Sequence, residues 1–166
     1  MDLYGSFTEL PFCAAGRVFR SSMPFNDRDR QGKLFKRFIT ESVDVVVVLV
    51  DDEEILECTG RNLRGDYQAQ GMSVIYLPVP DFDVPSLDAL DEAVLAAQQD
   101  IRSGKNLAVH CYAGLGRTGL FLACLAQREL LMGAAESITW VRSFVPGALE
   151  SPAQVRLAYD YGELRC

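Results

Sequence analysis

The run VDVVVVLV (Val43–Val50) is apolar without alternation, the pattern of a β-branched strand buried on both faces. SVIYL (Ser73–Leu77) predicts a second short strand, stopped by Pro78 and Pro80, and NLAVH (Asn106–His110) predicts a third. Elsewhere the apolar period lengthens to that of a helix. Leu87, Leu90, Val94, Ala97 and Ile101 recur at helical spacing, with Asp88 in the first turn and Gly104 past the end. GLFLACLAQRELLMG (Gly119–Gly133) is apolar on nearly every face at its start and predicts a central, buried helix. Ile138, Val141 and Phe144 mark another helix, closed by Pro146 and Gly147. SPAQVRLAYDYGEL (Ser151–Leu164) opens with a Ser cap, Pro at the first helical position and Gln154 at the capping-box position. Strands alternating with helices predict an α/β fold, with a central, mostly parallel twisted sheet and helices on both faces. No repeat, linker or low-complexity tract interrupts residues 1–166, which read as a single domain.

Composition narrows the function. Apolar residues at 49% and charged residues at 23% suit a globular protein, and the net charge of −7 argues against a nucleic-acid or anionic-membrane partner. No apolar run approaches the roughly 20 residues of a membrane span, and MDLYGSFTEL lacks the basic-then-apolar pattern of an export signal. Five cysteines (13, 58, 111, 124 and 166), with no CxxC, suit a reducing compartment, so a cytoplasmic location is expected. One histidine and no Cys/His cluster argue against a zinc site; no metal and no cofactor are expected.

The chemistry gathers in VHCYAGLGRTG (residues 109–119). Cys111 follows a strand, and a helix begins near Gly116. A helix N-terminus carries unsatisfied N–H groups and a partial positive charge, so a thiol placed there is readily held as thiolate. Gly114, Gly116 and Gly119 let the backbone of Tyr112, Ala113, Gly114, Leu115 and Gly116 turn its N–H groups inward as a ring for a tetrahedral oxyanion. Arg117, six residues after the cysteine, completes the ring with a two-pronged contact. Thr118 is placed to give its hydroxyl to the sulfur, and His110 to orient the loop through backbone hydrogen bonds rather than act as a base. One loop would then both activate a nucleophile and bind the group that it attacks.

His110-Cys111, five residues, then Arg117-Thr118-Gly119 resembles the HCx5R signature of cysteine-dependent protein tyrosine and dual-specificity phosphatases, most of all the loops of its kinase-associated and mitotic-exit branches. The likeness runs from RVFRSSMP (Arg17–Pro24) to the last helix. It implies the fold of that family and metal-independent hydrolysis, through a phosphocysteine, of phosphotyrosine and possible phosphoserine or phosphothreonine on a protein substrate. A monomer is expected.

The resemblance also implies a general acid. Pro80-Asp81, three residues, Pro85 matches the family's acid loop and assigns the role to Asp81; Asp83 stands where larger members carry Gly and stays open as an alternate or helper. Val79 replaces the Trp of those members. A Gln-rich loop before the final helix positions water in the family, usually as Gln-Thr-x-x-Gln. Here Gln154 matches the second glutamine, either in that role or as a capping partner of Ser151, while Glu150 replaces the first and either points away or slows hydrolysis. Cys58 and Cys124 read as boundary or core thiols with a possible disulfide to Cys111 under oxidation, and Arg61 and Arg64 as surface charges. Two other readings remain: a phosphoinositide or inositol-phosphate phosphatase, which the lysine-free loop disfavours, and a low-turnover phosphoprotein-binding module.

Overall fold

A computed structural model describes residues 6–165. Part of the N-terminal stretch read above for an export signal (residues 1–5) and Cys166 lie outside the described residues. The strands are β1 (Phe7–Leu10), β2 (Val18–Ser21), β3 (Val45–Val48), β4 (Ser73–Tyr76) and β5 (Leu107–His110), in the spatial order β1-β2-β5-β3-β4. β1 pairs antiparallel with β2, and every other pairing is parallel. All four valines of β3 are buried, as the unalternating run predicts for a strand flanked by β5 and β4 and covered on both faces.

Seven helices complete the described residues: α1 (Lys33–Thr40), α2 (Asp52–Thr59), α3 (Leu63–Ala69), α4 (Leu87–Arg102), α5 (Gly116–Glu129), α6 (Ala134–Phe144) and α7 (Pro152–Leu164). Helix α5 is buried from Gly116 to Gln127 and packs against α4, α6 and α7. α1 and α3 meet through Phe35 and Phe38, whose rings stack on Tyr67 at 5.8 and 5.9 Å. The expected α/β architecture is present, with two corrections. The helix expected to end at Gly133 stops at Glu129, after which Leu131 takes a left-handed φ of 56° and Gly133 caps the next helix. The first two strands, β1 at the sheet edge and β2 beside it, and the short helices α1, α2 and α3 also carry no element in the hydrophobic pattern read above.

The parallel register aligns the carboxyl ends of the strands. Ser21 and Val48 both pair with His110, and Val48 also pairs with Tyr76, so the segments after β2, β3, β4 and β5 emerge at one edge. At the start of α7 the Ser151 hydroxyl accepts from the Gln154 N–H, and the Gln154 side chain closes the capping box. Ser151→Ala should cost about 1 kcal/mol. It should lower the urea midpoint without changing the slope of the transition.

Candidate active site

Between β5 and α5 the backbone is held from outside by its carbonyls. The Cys111 carbonyl accepts from His110 Nδ1 at 2.9 Å. The Tyr112 carbonyl accepts from the Met23 N–H at 2.9 Å, and the Leu115 carbonyl from the N–H groups of Gly119 and Leu149. Buried Arg20 holds the two between them, its Nε donating to the Gly114 carbonyl at 2.7 Å and its Nη2 to the Ala113 carbonyl at 3.1 Å. With five successive carbonyls engaged outward, the N–H groups are left to the concave side; that of Gly114 donates to Cys111 Sγ at 3.3 Å. Gly114 has a φ of 73°, and a methyl group there would lie 2.4 Å from the Ser21 carbonyl oxygen, so no other residue fits without displacing β2.

His110 is wholly buried, and that burial, with the charge of Arg117 adding to it, depresses the imidazole pKa to about 4. The ring is therefore neutral at pH 7. A carbonyl only accepts, so Nδ1 carries the proton given to Cys111, and Nε2 accepts from the Tyr67 hydroxyl at 2.9 Å. His110 thus donates one hydrogen bond to the loop backbone, and Tyr67 fixes its tautomer.

Arg117 is almost wholly buried and forked onto Glu54 of α2, its Nη1 and Nη2 donating at 3.0 and 3.1 Å. Nη1 also donates to the Val79 carbonyl at 2.8 Å, and Nη2 lies 3.2 Å from Asp81 Oδ1. Burial alone would lower the guanidinium pKa; hydrogen bonding to Glu54 and the charges of Cys111, Glu54 and Asp81 raise it instead. Its Nε and the Thr118 hydroxyl are buried with no hydrogen-bond partner among the described residues. Thr118 makes no bond to the sulfur; Gly114 does.

Asp81 is brought to Arg117, whereas the Asp83 side chain accepts from the Val84 N–H within its own loop. Gln154 is buried and is the capping partner of Ser151. Its Oε1 accepts from the N–H groups of Glu150 and Ser151 at 2.8 and 3.1 Å, while its amide lies over the phosphatase-like loop: a methyl group at Gly116 would sit 2.9 Å from Nε2. Glu150 does not point away. Its Oε2 would lie 2.6 Å from that same methyl group. At the other rim, Tyr112 donates to Asp27 at 2.7 Å, a bond that pushes the phenol up to about 12.

Arg64 pairs with Asp52 and lies over the Tyr76 ring, and Arg61 pairs with Asp66 and lies over Phe25, both as surface charges. Cys124 is in the core, where burial raises its pKa, and Cys58 is exposed on α2. Among the described residues no helix is long and apolar enough to cross a membrane, and no group of His, Cys, Asp and Glu is placed to hold a metal ion.

Residues 28–129, more than half of the chain, match the family described as "Polymorphic toxin system, DSP-PTPase phosphatase". The chain belongs to this dual-specificity and tyrosine phosphatase family. It is 30% identical to Tk-PTP, solved in its active form, over 89% of this chain and 92% of that one, with a TM-score of 0.76. The human dual specificity protein phosphatase CDC14C is 52% identical over 48 residues, which are 29% of this chain and 11% of that protein. Mouse protein tyrosine phosphatase domain-containing protein 1 is 25% identical over 87% of this chain but only 20% of its own length. The chain thus spans a small part of these curated relatives. The fold is also that of kinase associated phosphatase, at 18% identity and a TM-score of 0.85 over 95% of this chain and 94% of that one.

Four site residues escaped the sequence reading: Arg20, Asp27, Glu54 and Tyr67. Each contacts a loop residue far along the chain, so local spacing holds no signal for it. The resemblance spans RVFRSSMP, which contains Arg20, but assigns it no role. Glu54→Ala should release the fork of Arg117 and lower kcat/KM toward a phosphomonoester by up to about 10²-fold, the cost of a misplaced positioning group. An unchanged kcat/KM would show that Arg117 needs no such hold. His110 is the chain's only histidine, so its imidazole proton resonance titrates alone in an NMR experiment. The midpoint should fall near 4; one near 6.5 would contradict the buried, neutral ring. Because the folded pKa is depressed, the unfolded chain takes up the proton first, and His110 should destabilise the fold as pH falls from 6.5 toward 4.

Proposed function

We propose that the chain hydrolyses phosphate monoesters on proteins through a phosphocysteine formed on Cys111, with neither metal nor cofactor. One observation carries the reading: a loop whose carbonyls are all engaged outward surrounds a thiol, with the buried, unpartnered Nε of Arg117 beside it. In the first step Cys111 Sγ attacks phosphorus, the bond to the leaving oxygen breaks, and Asp81 gives that oxygen its proton. The N–H ring and Arg117, through Nε and Nη2, hold the three remaining oxygens, whose charge grows in the transition state. Asp81 rests on Nη2 in the structure, so an arriving phosphate competes with it for that nitrogen and frees the carboxylate, which takes up a proton from solvent or from the phosphate monoanion before turning to the leaving group. In the second step water displaces Sγ and releases phosphate. The unpartnered Thr118 hydroxyl is placed to stabilise the departing sulfur.

The short acid loop, with Val79 in place of Trp, favours a shallow pocket open to phosphotyrosine, phosphoserine and phosphothreonine alike. Solved structures of this fold include PTPMT1 in complex with PI(5)P, at 19% identity and a TM-score of 0.74 over 89% of this chain and 90% of that one. A phosphoinositide substrate fits this chain less well, because residues 112–116 hold no lysine and Glu150 sets a carboxylate over the loop. A module that binds without turnover would not need Cys111, Arg117 and Asp81 together. We place the protein in the cytoplasm as a monomer.

Cys111→Ser should abolish hydrolysis yet still bind vanadate or phosphate, since the hydroxyl is a poor nucleophile and the N–H ring survives. Activity within tenfold of the parent would refute the mechanism. Asp81→Asn should slow turnover by about 10²–10⁴-fold, less so for a leaving group of low pKa, whereas Asp83→Asn should be mild and show no such dependence. The reverse pattern would move the acid to Asp83. EDTA should leave the rate unchanged; a rate lost on chelation and restored by magnesium or zinc would overturn the metal-free reading.

A further inference from the structure

Water that hydrolyses a phosphocysteine must lose a proton as it bonds to phosphorus, so its site needs an acceptor as well as a donor. Gln154 offers only the donor. Its Oε1 is occupied by the N–H groups of Glu150 and Ser151, and among the described residues its Nε2 makes one long contact of 3.5 Å, to the Asp83 carbonyl. Within reach of the same point above Gly116, where a methyl group would sit 2.9 Å from Nε2, lies Oε2 of Glu150 at 2.6 Å. Among the described residues the Glu150 side-chain oxygens make no hydrogen bond or ion pair, whereas Asp81 Oδ1 accepts from the Phe82 N–H and lies on Arg117.

The backbone beneath Glu150 is fixed. Arg142 donates from Nε to the Ala148 carbonyl at 2.9 Å and from Nη2 to the Leu149 carbonyl at 3.1 Å. The Leu149 N–H reaches the Leu115 carbonyl of the cysteine loop at 3.3 Å, and Leu149 holds a left-handed φ of 56°. The carboxylate therefore follows directly on a residue bonded to the loop.

We infer that Glu150 is the proton acceptor of the second step, a catalytic residue that works beside the amide of Gln154; this rests on the phosphocysteine reading above. Water held between Gln154 Nε2 and Glu150 Oε2 attacks phosphorus. A new P–O bond forms as the P–Sγ bond breaks, the electron pair returns to sulfur as thiolate beside the Gly114 N–H, and the water proton passes to Glu150. Inorganic phosphate leaves and Glu150 returns its proton to solvent. Asp81 acts in the first step, so the two half-reactions use different carboxylates. The charge of Glu150 does not face an unscreened phosphate, because Arg117 and the N–H ring hold the phosphoryl oxygens.

The test is a rapid-quench experiment with 4-nitrophenyl phosphate and with a ³²P-labelled phosphopeptide, on the parent, Glu150→Gln and Cys111→Ser. Glu150→Gln should release one equivalent of 4-nitrophenol in a burst as fast as the parent's first turnover. Its steady rate should then fall on the order of 10²-fold, the worth of a positioned base, with label accumulating on the protein in an alkaline detergent quench. The burst shows that the variant is folded and loads normally. A steady rate equal to or above the parent's, with no accumulation, would overturn the assignment; a faster rate would mean that Glu150 only repels the phosphoryl group. Failure of the underlying reading looks different: Cys111→Ser would keep its turnover, or no variant would carry label.

Discussion

The site depends on keeping peptide carbonyls away from an anion. A loop of five residues between a strand and a helix has no ladder to occupy its backbone, and its carbonyls would otherwise turn as freely inward as outward. Each is claimed by a donor from outside: His110 Nδ1, the Met23 and Leu149 N–H groups, and the guanidinium of Arg20. What faces inward is then donor only. The donors come from β2 and the segment after it, from β5 and from the segment before α7, so the fold around the loop shapes it together with the glycine at position 114.

That arrangement follows from the sheet. Parallel strands place the segments after β2, β3, β4 and β5 at a common edge, and each contributes one part: Met23 and Asp27, Glu54, Asp81, and the cysteine loop. Arg117 joins three of them, holding Glu54, the Val79 carbonyl and Asp81 while its Nε stays buried and unpartnered. A buried guanidinium is costly unless its charge is matched, and Glu54 supplies the match from a helix cap region rich in acid. The arginine is thereby preorganised.

What was legible in the sequence is what local chemistry encodes. The valine run of β3 reads as a strand because both faces are apolar, and the capping box of α7 reads because Ser151, Pro152 and Gln154 are near neighbours. Cys111 and Arg117 read because one turn carries both. β2 escaped because Arg20 sits in it as a buried charge, which in a pattern of hydrophobic positions looks like a break. α2 escaped because DDEEILEC has the look of a solvated acidic run, and its one useful carboxylate, Glu54, is defined by a partner 63 residues away. Glu150 was legible as a departure from the family, but its direction was not, since that is set by Leu149 and Arg142.

The claim that outward-held carbonyls create the oxyanion site is tested most directly through Arg20, which contacts the loop from behind. Arg20→Lys keeps the charge but cannot reach both the Ala113 and Gly114 carbonyls. Vanadate affinity should be measured by calorimetry on this variant and the parent, with thermal unfolding to confirm that both are folded. Loss of hydrogen bonds worth about 1.5–3 kcal/mol predicts that binding weakens by roughly 10- to 10²-fold. A folded Arg20→Lys chain that binds vanadate as tightly as the parent would contradict the account.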